Sequence, residues 1–477
     1  YLISLCARLQ NTENRTQRIE LRKLCGYLPL ALKIAGSYLG ATPNIEIARY
    51  IEKLRARRLE ILRERGDDEL NVEAAFALTY DQLPPTTQLT WRLLAVFPAP
   101  FWHTAAAYVW GVEEGQAQDE LGELVRYSLV EYTAGDGGQG KGDRYSLHDL
   151  LREFAERRTT DDERRTTSLR HAEFYKDVAT EAKELYKRGN ENVVAGLKLF
   201  EQEIAHIRAG QKWAAENLEN DADAARLCSE YPDAAVYVAQ LRLSARENIH
   251  WLQDALRAAK QLGDKSMEGN HLGNLGLAYA ALGEVRRAIE FYEQRIAIAR
   301  EIGDRRGEGN ALGNLGLAYA ALGEVRRAIE YHEQALLIDR EIGDRRGEGA
   351  DLGNLGSAYY SLGEVRRAIE YHEQALAVMR DIGDKRAEGS ILGNLGLAYA
   401  ALGEVRRAIE FYEQALVIAR EIGDRRGEGN AQANMGNAYK KLGDMNKARE
   451  LWRAALAIFE AIEDPNAERV RGWLSEG

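Results

Sequence analysis

From Lys265 onward the apolar positions fall on helical spacing, and the pattern restarts every 40 residues. Leu272, Leu275, Gly276 and Tyr279 stand at i, i+3, i+4 and i+7, one face of a helix. Leu282-Gly283 ends that helix, because glycine takes the left-handed conformation a C-terminal cap wants. A second helix starts near Glu284 and places Ala288, Ile289, Tyr292, Ile296 and Ala299 on one face. Gly303-Asp304 closes it, with Asp304 as N-cap of the next helix. Leu-Gly-Asn-Leu-Gly recurs at Leu272–Gly276, Leu312–Gly316, Leu352–Gly356 and Leu392–Gly396, with a weaker copy at Gln432–Gly436. Each unit is a helical hairpin with one apolar side, which it buries only against stacked neighbours. Gly269, Gly273 and Gly276 cost the first helix roughly 1 kcal/mol each against alanine. Close backbone approach at Gly276 is the simplest way to recover that cost, so tight packing is predicted.

Leu272, Leu275, Gly276, Tyr279, Ala288, Tyr292 and Arg295 resemble the tetratricopeptide pattern W-x2-L-G-x2-Y, then A-x3-F-x2-A. Ala335, Ala375, Ala415 and Ala455 take the last position in later copies. Leucine replaces the first Trp, the closing Pro is absent and the unit is longer than usual, as in kinesin light chain and Pins-type scaffolds. The resemblance implies a right-handed α-solenoid whose first helices line a groove. Asn270, Asn310 and Asn430, and Asn274, Asn314, Asn354, Asn394 and Asn434, recur on that face. Two readings stand for them: amides that grip a peptide backbone, or ties within the stack. His332 and His372 share the register of Tyr292, Tyr412 and Trp452, an interhelical packing position, so no metal site is expected there.

Upstream, Arg15–Cys25 and Leu28–Gly40 read as helices, the second with Pro29 in its first turn. Asn71–Gln82, Thr86–Phe97, Thr104–Trp110 and Glu114–Tyr127 read as helices, then Ser128–Thr133 and Arg144–Leu147 as a β-hairpin around Ala134–Asp143. Cys25-Gly26-Tyr27-Leu28-Pro29-Leu30-Ala31-Leu32 resembles the C-G-G-L-P-L-A-L motif of NB-ARC domains, nucleotide switches of STAND-type regulators. Tyr145-Ser-Leu-His-Asp149 resembles their M-H-D motif, with Leu147 for Met, and a winged helix lies between the two motifs in that family. The resemblance implies that Pro29 packs on adenine and His148 contacts the β-phosphate of ADP. Without it, Pro29 starts a core helix and His148 caps the helix Asp149–Arg158. Gly135–Gly142 nearly spells a phosphate-binding loop, but Gly142 lacks the hydroxyl and the loop joins two strands, so it reads as the wing.

Composition narrows the picture. Lys and Arg number 64 against 75 Asp and Glu, a net charge of −11, which argues against general nucleic-acid binding. Glu114, Asp119, Glu120 and Glu123 on the natural groove-reading helix argue the same way. Cys6, Cys25 and Cys228 form no spacing pattern, and no apolar run approaches a membrane span, so a reducing cytoplasm is expected. Tyr1–Gln10 reads as mid-helix, so the chain is expected to be part of a longer protein.

The predicted organisation is mainly α: 1–66 the end of a nucleotide-switch region, 67–158 a winged helix, 159–262 a helical linker with degenerate hairpins, 263–464 five units, 465–477 a capping helix. Thr159–Thr167 reads as a hinge or linker, and Leu169–Lys187 and Val193–Asn217 as helices. The expected function is sensing: the array binds a protein or peptide, and the winged helix relays this to an ADP/ATP switch with self-assembly on activation. No catalysis is expected of this chain itself. A passive peptide-binding scaffold and a DNA-binding regulator are the two alternatives.

Overall fold

The computed structural model describes residues 13–25, 29–42, 45–65, 70–135 and 142–476. The expected helix at Tyr1–Gln10, Gly26–Leu28 of the first motif and residues 136–141 of the loop expected to be a wing lie outside the described residues. The chain forms two compact units, Tyr1–Ser244 and Ala245–Gly477.

The first unit opens with α1 (Glu13–Leu24), α2 (Pro29–Ala41), α3 (Ile47–Arg65) and α4 (Leu70–Tyr80). Tyr38 and Tyr50 meet in their core with ring centroids 5.1 Å apart. α5 (Pro85–Leu93), a 3₁₀ turn at Leu94–Val96, α6 (His103–Trp110) and α7 (Glu114–Arg126) follow, then β1 (Glu131–Thr133) paired antiparallel to β2 (Arg144–Ser146). Trp91 centres this block: it is fully buried, donates Nε1–H to Leu129 O at 3.2 Å and meets Phe154 of α8 (Asp149–Glu156). Ser128 does not begin a strand as predicted. It sits at φ +57°, ends α7, and its hydroxyl lies 2.6 Å from that of Ser37. Phe101 exchanges both backbone hydrogen bonds with Tyr145, adding a one-residue third strand.

From Asp161 on, Thr159–Thr167 is helix and not the expected hinge or linker. α9 runs from Asp161 to Lys187, and Thr160 with Glu163 forms a reciprocal capping box at its start. Three acidic residues in the first turn suit the positive end of the helix dipole. α10 (Glu191–Asn217) and α11 (Ala222–Arg242) complete the unit. Between α9 and α10, His171 Nε2 lies 3.3 Å from His206 Nδ1, and His206 Nε2 donates to Pro100 O at 3.2 Å. Burial pushes His206 down to about 4 and His171 well below its usual value, so both rings are neutral.

The second unit begins with α12 (Ala245–Leu262), followed by five hairpins. They are α13 (Lys265–Ala281) and α14 (Val285–Ile302), α15 (Arg305–Ala321) and α16 (Val325–Ile342), α17 (Arg345–Ser361) and α18 (Val365–Asp381), α19 (Lys385–Ala401) and α20 (Val405–Glu421), and α21 (Arg425–Lys441) and α22 (Met445–Ala461). This is the predicted α-solenoid of helical hairpins. Asp264, Asp304, Asp344, Asp384 and Asp424 all cap their helices through a side-chain oxygen. Gly283 and its equivalents turn between the helices at φ near +80°. α23 (Asn466–Glu476) packs Trp473 against Trp452, 5.9 Å between rings.

The tight contact at Gly276 differs from the prediction in one respect: it faces a ring, not a backbone. A Cβ there would stand 2.3 Å from Tyr292 of the partner helix, and Gly316, Gly356, Gly396 and Gly436 seat His332, His372, Tyr412 and Trp452 in the same way. Each unit buries one aromatic or imidazole ring in a glycine socket, gaining contact area that offsets the helix cost of glycine. His332 and His372 are both 1% exposed and belong to this packing.

Candidate functional site

Pro29 opens α2, is exposed, and lies one turn before Lys33, whose Nζ pairs with Glu131 at 3.3 Å. Glu131 is the ladder partner of Ser146, two residues before His148. Helix α2 and the hairpin that delivers His148 are therefore neighbours, joined a second time by Ser37 and Ser128. His148 is exposed and caps α8: its Nδ1 accepts from the Leu150 N–H at 3.3 Å. That bond fixes the neutral tautomer, with Nε2–H as the remaining donor. Asp149 pairs with Arg152 at 2.8 Å, and Leu147 is buried in the core.

The asparagine columns lie on the exposed side of the first helices. Asn274, Asn314, Asn354, Asn394 and Asn434 are half-buried, and no side-chain hydrogen bond within the described residues engages them. Asn270, Asn310 and Asn430 are exposed. Asn270 alone is tied inward, accepting from Arg295 at 3.4 Å. Leu277, Leu317 and Leu397 stand one turn beyond the inner column and are 38–51% exposed. Asn394, Asn430 and Asn434 line a cavity of about 580 Å³ between α19 and α21, with Leu397 and Ile418 as apolar wall. The structure brings these three amides to one groove; the others recur one step at a time along it.

Residues the sequence reading passed over complete that surface. Arg386, Arg426, Arg469 and Ser390 line the same cavity, and Arg426 is held by Asp464 at 2.6 Å. Below the groove, Glu308, Glu348, Glu388 and Glu428 are buried and each is clasped by two basic residues, as Glu388 is by Arg380 at 2.7 Å and Lys385 at 3.0 Å. Burial raises the Glu388 carboxyl, yet the bonds from Arg380 and Lys385 more than offset this, leaving it below its usual value. The recurrence of Glu every 40 residues beside Arg or Lys was the available signal. Arg287, Arg327, Arg367 and Arg407 stack about 4 Å over Tyr279, Tyr319, Tyr359 and Tyr399.

Models of the tetratricopeptide repeat match residues 272–306, 307–381 and 387–467. The regulatory protein AfsR of Streptomyces griseus is 38% identical over 144 residues, which is 30% of this chain and 14% of that protein. Its counterpart in Streptomyces coelicolor is 37% identical over the same length, again 14% of that protein, so the match spans about a seventh of these relatives. Among solved structures, a STAND protein with a tetratricopeptide repeat sensor from Pyrococcus horikoshii is 18% identical, with a TM-score of 0.46, covering 93% of this chain and 68% of that one. BtubC from P. vanneervenii is 24% identical with a TM-score of 0.43, covering 46% and 92%. Residues 272–467 are built of tetratricopeptide repeats, in a chain with sequence similarity to AfsR-type regulators.

Proposed function

We propose that this chain is the sensor and relay portion of a STAND-type regulator. The groove of the array holds an extended segment of a protein or peptide, and the helix–hairpin block carries contacts of an ADP/ATP switch. The observation that carries the reading is the column Asn274, Asn314, Asn354, Asn394 and Asn434, whose amides have no internal hydrogen-bond partner among the described residues. A primary amide offers donors and an acceptor together, which matches the alternating groups of an extended main chain. Leu277, Leu317 and Leu397 beside it supply apolar contact for alternate side chains.

His148 and Pro29 suit the nucleotide part. His148 presents an outward N–H that fits a phosphate oxygen, and Pro29 an exposed ring on the adjoining helix, fit for adenine. Exchange of ADP for ATP supplies the change of charge that a two-state element reads. A sensor acts on such an element only by binding one state better than the other. The sequence match to AfsR, a protein described as regulatory, supports the same reading.

Selection of this chain against a display library of random extended peptides tests the sensor half. Enrichment lost when Asn314, Asn354 and Asn394 are all changed to alanine supports it; equal enrichment on that variant contradicts it. Nucleotide retained by this chain when joined to an upstream phosphate-binding domain, and lost with His148→Ala, tests the switch half separately.

A further inference from the structure

The first four units are close copies, so a departure confined to one junction carries information. Asp339 stands where other units have Ala299, Met379, Ala419 or Phe459, and Asp351 where they have His271, Ala311, Ile391 or Ala431. The two acids fall at the one junction between the second and third units. They are 5% and 6% exposed, and His332 beside them is 1% exposed. His332 Nδ1 lies 2.9 Å from Asp351 Oδ1, and Asp351 is in turn a hydrogen-bond partner of Asp339.

Two carboxyl groups bond to each other only when one carries a proton. Burial, then the charge of Asp351, raises the Asp339 carboxyl to about 7. The charges that raise it most are acidic: Asp351 and Glu348 from α17, and Asp344 from the turn between. Glu348 is already neutralised by Arg340 and Arg345, and among the described residues no Lys or Arg pairs with Asp339 or Asp351. From α15 the pair meets Gly309 and Gly313, where an added Cβ would stand 3.2 and 3.3 Å from their carboxylate oxygens. Among the described residues the one basic side chain paired with the two acids is His332, through Asp351.

We propose that the junction between the second and third repeats is a proton-gated joint: one proton held between Asp339 and Asp351 closes α16 on α17, and its loss to solvent loosens that junction alone. In the closed form the Asp339 O–H donates to Asp351, which also accepts from His332 Nδ1–H. In the open form two buried carboxylates face each other, and water enters to solvate them. The sign follows from linkage. The folded joint binds its proton more tightly than the unfolded chain does, so its stability is greatest below the ordinary carboxylate range and falls as pH rises toward neutrality. Asp351 directly follows Ala350 on the groove-facing row, so the joint lies beneath the groove, but its existence is independent of what the groove binds.

Hydrogen exchange of the whole chain at about pH 6 and about pH 8.5, corrected for intrinsic rates, tests this. Protection of α16 and α17 is expected to drop about tenfold relative to α20 and α21, whose junction has Ala419 and Ala431 in the same registers. Asp339→Asn keeps a donor without a titrating proton and abolishes the drop. So does Asp339→Ala, the residue the array itself tolerates at 299 and 419. A drop no larger than that of α20 and α21, or one that persists in both variants, overturns the proposal.

Discussion

The two units solve the problem of cohesion differently. In Tyr1–Ser244 each decisive contact occurs once: Trp91 under Leu129, His171 against His206, the Ser37–Ser128 bond. In Ala245–Gly477 a contact is made and then made again, with a ring in a glycine socket, an aspartate cap and a clasped glutamate at each step. Damage to the first unit should spread through it. Damage to the second should stay near its step, because each repeat touches only its neighbours.

Trp91→Ala removes a fully buried indole and is expected to cost about 3–5 kcal/mol, opening the first unit as a whole while the array keeps its exchange protection. Acid acts next. His206 is neutral in the folded unit with its pKa near 4, so the unfolded chain takes up a proton first as pH falls below about 6.5. Stability present above that value is lost toward pH 4, on the order of 3 kcal/mol, and His206→Phe should flatten the acid side of the melting profile. Burial also holds His372 near 4, so the array has an acid-sensitive step of its own, confined to the surroundings of α18. Gly396→Ala would drive a methyl to 2.4 Å from Tyr412; a loss of about 1–3 kcal/mol is expected, read as exchange in α19 and α20 and not in α13 and α14. Smallest, Asp384→Ala removes one cap and should cost about 1 kcal/mol, fraying the first turn of α19.

The array was legible because periodicity repeats its own signal: helix ends at Gly283 and caps at Asp304 follow from the residues standing there. The socket partner of Gly276 was not legible, since a ring from the second helix answers a glycine in the first only in three dimensions. The start of α9 was misread by composition, although Thr160 and Glu163 carry the capping-box spacing. The single-residue strand at Phe101 has no periodicity to detect. Of the candidate site, the asparagine face could be read from spacing, but not which amides remain free of internal bonds. Asp339 and Asp351 looked like two isolated substitutions; only folding brings them within bonding reach.

If free groove amides hold a ligand's main chain, a peptide selected on this chain and remade with single backbone amides replaced by esters will show it. If Asn394 grips one of those amides, the ester there should weaken binding about two- to tenfold, and the loss should vanish in Asn394→Ala. Ester peptides that all bind as well as the parent, or a loss that is the same in Asn394→Ala, would contradict it.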